Sequence, residues 1–124
     1  MYRIVAVVFA VFLSAGAMSA ADKALMHCFA FTAIEGATAA DWDAFYKATD
    51  ELPAQIPGLT HVWAGKLRRP LHAGNAVREY GACMEFEDEA ALAAYADSAA
   101  HKSWMEAYGK VRVPGTTTFD IMEH

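Results

Sequence analysis

This chain predicts one α+β domain of the split βαβ, ferredoxin-like kind, and three observations lead there. Apolar and aromatic stretches with strand character recur at residues 24–32, 59–66, 78–86 and 116–122. An amphipathic helical stripe separates the first from the second, and a pair of helical segments separates the third from the fourth. The order strand, helix, two strands, helix pair, strand is that of a four-stranded antiparallel sheet carrying its helices on one face. The chain has 124 residues, enough for one domain and one core, and shows no internal repeat or low-complexity linker.

Ahead of the first strand, residues 1–21 read as a secretory signal peptide. Arg3 gives the short basic start, Ile4 to Leu13 is apolar throughout, and Ser14 to Ala21 is rich in small residues. Cleavage after Ala21 fits the small-x-small rule through Ser19 and Ala21; sites after Ala17 and Ser19 compete. An uncleaved anchor is the alternative, but ten apolar residues are too few to span a bilayer. The expected mature domain is residues 22–124, periplasmic or secreted, with no stable membrane association once the leader is removed.

The first strand carries His27, Phe29 and Phe31 on one face and Cys28, Ala30 and Thr32 on the other. Thr38 and Asp41 form a capping box with Asp in place of Glu. The helix that follows buries Trp42, Phe45, Tyr46, Thr49 and Leu52, and Pro53 is expected to end or kink it near Leu52. Pro57-Gly58 makes a turn. Leu59 to Lys66 is the second strand, with Val62 alternating against Trp63. Leu67 to Val77 reads as an eleven-residue loop. It is either a solvated connection or, through Arg68 and Arg69, a place that attracts an anionic ligand. Arg78 to Phe86 is the third strand. Asp88 caps an alanine-rich helix, a break follows, and a second helix ends at Gly109.

The formal net charge is −5, with a pI of about 5.4. An acidic surface excludes a nucleic-acid partner and disfavours anionic membranes. Cys28 and Cys83 meet an oxidising compartment if the chain is exported. Alternation puts both on one sheet face, so a cross-strand disulfide is one reading; the tight geometry it demands favours two buried free thiols. The five histidines form no HxxxH, HExxH or Cys/His cluster, so no metal is expected. No phosphate loop, dinucleotide fingerprint or nucleophile elbow occurs, and no cofactor is expected.

The chemistry-bearing stretch is Phe86 to Tyr108. His101, Trp104, Met105 and Tyr108 share one helical face, and Tyr95 lies six residues before His101 across the helix break. An imidazole and a phenol thus converge on an apolar interior, where a histidine can act as a base and a phenol as a donor. The plainer alternative makes both of them hydrogen-bonded core residues. His27 projects from the first strand toward the same layer. Phe45, Tyr46, Trp104 and Tyr108 are the rings expected to line a cavity for a flat apolar ligand. The many other aromatics, Trp63 included, are mostly expected in the core.

The same stretch resembles the stress-responsive A/B barrel (Dabb) family: a strand ending in Phe86, an acidic turn, an Ala/Leu helix, Tyr95, then His101. Met26-His27 in the first strand, Ile56-Pro57-Gly58 after the first helix and Phe119-Asp120 in the last strand agree with it. The resemblance implies that two copies pair their sheets into a dimeric α+β barrel. It also implies a base role for His101 and an orienting role for Tyr95, as in a plant polyketide cyclase of that family, with His27 near the pocket. The chain departs from the family in having Ser98-Ala99-Ala100 before His101, where His-Pro is common, which leaves the break less fixed. The expected function is an exported binder of a small apolar or aromatic molecule. The alternatives are a cofactor-free cyclase or lyase using His101 and Tyr95, or a cofactor-independent monooxygenase.

Overall fold

A computed structural model describes residues 23–124; the expected signal peptide lies outside them. The elements run β1 (Leu25–Phe31), α1 (Ala39–Gln55), β2 (Leu59–Ala73), β3 (Ala76–Phe86), α2 (Glu89–Ala96), α3 (Ala99–Gly109) and β4 (Thr117–Met122). The sheet has the order β2-β3-β1-β4, all pairs antiparallel. β1 is therefore central, and its alternate residues face two different environments.

One face of the sheet packs against the helices. Phe29 and Phe31 from β1 meet Phe45 of α1 and Trp104 and Tyr108 of α3, with Met84 and Phe86 from β3 alongside. Each large buried side chain is worth about 1.5–3 kcal/mol of transfer free energy, so this layer carries most of the stability. Thr49 joins the helices inside it. The Trp104 indole N–H donates to Thr49 Oγ1 at 2.9 Å, and the Thr49 hydroxyl donates to the Phe45 carbonyl at 2.7 Å. The capping box forms as expected, with Asp41 N–H on Thr38 Oγ1 and Thr38 N–H on Asp41 Oδ2. Those Thr38 hydrogen bonds hold the Asp41 carboxyl below the usual range.

Four expectations need correction. α1 does not end near Leu52 but runs through Pro53 to Gln55. Leu52 is buried, and only two helical residues follow the proline, so packing of Leu52 and Ile56 outweighs the lost hydrogen bond. The eleven-residue loop is not a loop. β2 and β3 continue into it as a long hairpin and leave only Gly74-Asn75 as the turn, with Gly74 at φ 61°. β2 is an edge strand, which tolerates Pro70, and its irregularity sits between Lys66 and Leu71. Cys28 and Cys83 are not free thiols: they are direct cross-strand partners joined by a disulfide. Trp63, grouped with the core rings, is 75% exposed, because it points to the face that carries no helices.

That second face is a shallow apolar surface. Trp63, Cys83, Cys28 and Phe119 form one row across all four strands. Beside it a concavity of about 440 Å³ opens, bounded by Leu67 and Leu71 of the long hairpin. A Cβ on Gly81 would lie 3.2 Å from Leu67 Cδ2 and 2.8 Å from the Phe29 carbonyl, so the missing side chain is what lets Leu67 fold back onto the sheet.

Candidate functional site

The helix break sets the site. α2 begins with Asp88, whose carboxylate accepts from Ala91 N–H at 2.7 Å, and it ends beside Tyr95. Ser98 then caps α3 and does so on both sides. Its hydroxyl donates to the Tyr95 carbonyl at 2.8 Å and accepts from His101 N–H at 3.1 Å, while its own N–H returns to the Tyr95 carbonyl. The departure from His-Pro therefore does not loosen the break: one serine ties Tyr95 to His101. The two rings lie 4.7 Å apart at 67°.

His101 and Tyr95 line a pocket of about 250 Å³ between the sheet and α3. His27 and Phe29 of β1 and Thr118 of β4 form its sheet side, Trp104, Met105 and Tyr108 its α3 wall, and Arg112 and Thr116, both on Tyr108, the end remote from His101. Of the residues singled out from the sequence, His27, Tyr95, His101, Trp104 and Tyr108 are brought together here. Phe45 and Tyr46 are not. Phe45 is enclosed by Phe31, Trp104 and Tyr108, and Tyr46 stacks on Trp42 further along α1. The α1 stripe is used up in filling the core, so the pocket opens on α3 instead.

Each polar group has a definite electrostatic setting. Burial pushes the His101 pKa below the ordinary 6.5; the hydrogen-bonded Ala96 carbonyl works against that shift, and the charge of His27 adds to it. The ring is therefore neutral at pH 7 and retains a basic nitrogen. Burial raises the Tyr95 pKa far above that of a free phenol, so its hydroxyl stays a donor. Tyr108 is shifted the same way, mainly by burial, with its Thr116 hydrogen bond and Arg112 opposing.

One polar partner was missed from the sequence. Asp120 is the register partner of His27, and its Oδ1 lies 2.6 Å from His27 Nδ1. A carboxylate there makes Nδ1 the donor and leaves Nε2 as the free nitrogen, the usual logic of a carboxylate-oriented histidine. Alternation alone puts Asp120 on the helix side of β4, but only the pairing of β1 with β4 reveals the contact. Among the described residues no three His, Cys, Asp or Glu side chains gather as a metal site, and no helix is long and apolar enough to cross a membrane.

Known structures share this architecture. A dimeric ferredoxin-like protein from Jannaschia is 24% identical, with a TM-score of 0.61 over 79% of this chain and 97% of that one. A Dabb family protein with a ferredoxin-like fold from Mesorhizobium loti is 18% identical, with a TM-score of 0.63 over 82% and 98%. Hydroxynitrile lyase from Passiflora edulis is 9% identical, with a TM-score of 0.68 over 83% and 95%. At these identities the likeness is one of fold. No curated protein matches the sequence. The sequence profile of the Stress Responsive A/B Barrel Domain matches residues 25–123, which is nearly all of the domain described above. The expected fold and family both hold: this chain is a member of the stress-responsive A/B barrel (Dabb) family.

Proposed function

We propose that this protein is exported, dimerises through its open sheet face, and binds a small, largely apolar molecule in the pocket between β1, β4 and α3. The observation that carries the ligand reading is the convergence of His101, Tyr95 and His27 on one open pocket with aromatic walls. The Ala96 carbonyl and the Asp120 carboxylate engage one ring nitrogen each of His101 and His27, and the other nitrogen of each ring remains to meet a ligand. The dimer reading is supported by the exposed Trp63 and Phe119 and by neighbours described as dimeric.

A cofactor-free lyase or cyclase is the second reading, favoured by the burial that keeps His101 neutral. His101 would take a proton from a bound hydroxyl or an acidified C–H, and Tyr95 would donate to the oxygen on which charge develops. For a cyanohydrin, loss of the O–H proton to His101 would let the carbon–carbon bonding pair leave with cyanide as the carbonyl forms. The imidazolium would then return the proton to cyanide. A neighbour that is a hydroxynitrile lyase makes this substrate a sensible first choice.

The test is a panel of small aromatic carbonyls, alcohols and cyanohydrins, followed by the His27 and His101 ring signals in NMR. Binders should shift both rings in the wild type and neither in Thr118→Trp, which fills the pocket. Compounds that shift nothing in the wild type, or that still bind Thr118→Trp unchanged, contradict the pocket. The lyase reading further expects turnover that disappears in a folded His101→Gln protein.

A further inference from the structure

We propose that Arg112 makes this pocket selective for anions. Its ligand would then be a flat apolar molecule bearing a carboxylate at the end remote from His101. This inference rests on the pocket being the ligand site.

Arg112 is held in place before any ligand arrives. The backbone on either side of it is pinned to the segment after β1: Ile34 N–H donates to the Val111 carbonyl and Val113 N–H to the Thr32 carbonyl, both at 2.8 Å. Ala33 and Arg112 form the bridge between them. The guanidinium lies over the Tyr108 ring, 4.4 Å from its centroid, and Nη1 donates to Thr116 Oγ1 at 3.1 Å. An arginine presents five N–H donors in a rigid fork, and these contacts leave most of them unused.

The charge at this end of the pocket is uncompensated. Among the described residues the salt bridges are His27 with Asp120 and Lys47 with Glu51; Arg112 has no carboxylate partner. No Asp or Glu lines the pocket. Arg78 is likewise half-buried without a carboxylate partner, but it donates to Thr32 and Thr117 and does not line the pocket; Arg112 does, and it faces the same pocket as the base.

The wall between the two ends sets the ligand's shape. His101 lies 6.0 Å from Trp104 at 22°, and Trp104 lies 4.8 Å from Tyr108 at 25°. The rings step along α3 in near-parallel planes and end under the guanidinium. A flat molecule lying along them would meet Arg112 at one end and His101 at the other. The fork matches a coplanar carboxylate bidentately, and a cavity of about 250 Å³ suits a compact acid rather than a large phosphorylated carrier.

The experiment compares 2-naphthoate with its neutral, nearly isosteric amide, following binding by calorimetry and by the His101 ring signals. The wild type should bind naphthoate roughly tenfold more tightly, the typical worth of one charge-assisted pair. In Arg112→Gln the ratio should fall to about one. Equal affinities in the wild type, with His101 signals moving for both compounds, would overturn the inference and leave the pocket intact. An unchanged ratio in Arg112→Gln would overturn it as well. If neither compound moves the His101 signals, the pocket reading fails, and this one with it. Should Arg112→Gln not fold, the wild-type Arg112 Nε–H resonance decides: it should move with naphthoate and not with the amide, and an unmoved signal counts against the proposal.

Discussion

The two faces of one sheet use the same strand residues to opposite ends. On the helix side, β1 contributes Phe29 and Phe31 to the packed layer and His27 to the pocket at its α3 side. On the other side, Cys28 and Ala30 lie beneath a shallow apolar surface flanked by Trp63 and Phe119, which stand 75% and 48% exposed. The packed face can hold titratable groups at shifted pKa values because burial is enforced around them. The open face has no such enclosure, and its apolar rings are of the kind that a second sheet covers. The proposed ligand belongs to the first face and the proposed partner to the second.

The largest contrast is in stability. Phe31→Ala should cost about 3–5 kcal/mol in denaturant unfolding, because Phe31 is fully buried against Trp42, Phe45, Tyr80 and Tyr108. Trp63→Ala should change monomer stability by less than about 0.5 kcal/mol while weakening self-association. A comparable loss from both would erase the distinction between the faces.

Next comes the disulfide, which staples β1 to β3 on the open face across a sequence separation of 55. Replacing both cysteines with serine should lower stability by about 2–4 kcal/mol. The ring signals of His27 and His101 should stay in place, since the pocket lies on the opposite face. If they move, the two faces are coupled through the bridge.

A smaller effect is expected at the helix break. Ser98→Ala removes the cap and should cost about 1 kcal/mol. It should also disturb the His101 ring environment more than an equally destabilising change on the open face, because Ser98 Oγ connects Tyr95 and His101 directly.

The smallest effect is in pH dependence. The folded pKa of His101 lies below the ordinary 6.5, so near and below that pH the unfolded chain binds more protons than the folded one. Stability should therefore fall as pH drops through 6.5 and past the lowered folded value. His101→Gln should flatten that part of the profile. A profile that instead rises on acidification would mean the ring is stabilised as a cation, and a base role would be lost.

Most of the fold was legible because it rests on local patterns. The Thr38 box, the Asp88 cap and the alternation of β1 are each fixed by a few neighbouring residues, and all appear as expected. The hairpin was misread because Arg68, Arg69 and Pro70 look like loop chemistry. The Gly74-Asn75 pair was the available signal for a two-residue turn, and an edge strand can absorb the proline. The convergence of His101, Tyr95, Trp104 and Tyr108 was legible from helical spacing across one break. Asp120, Arg112 and the unused Phe45 and Tyr46 were not, because each depends on which strand or helix lies opposite. The cysteine pair was readable as two residues on one face; its bonding needed the register.

The most direct measurement is native mass spectrometry of the wild type and of Trp63→Glu with 2-naphthoate present, since it reads partner and ligand together. The wild type should appear as a dimer carrying up to one ligand per chain. Trp63→Glu should appear as monomers that each still carry one. Monomers that have lost the ligand would mean that it sits between the sheets, and an undiminished dimer would mean that the open face is not where two copies meet.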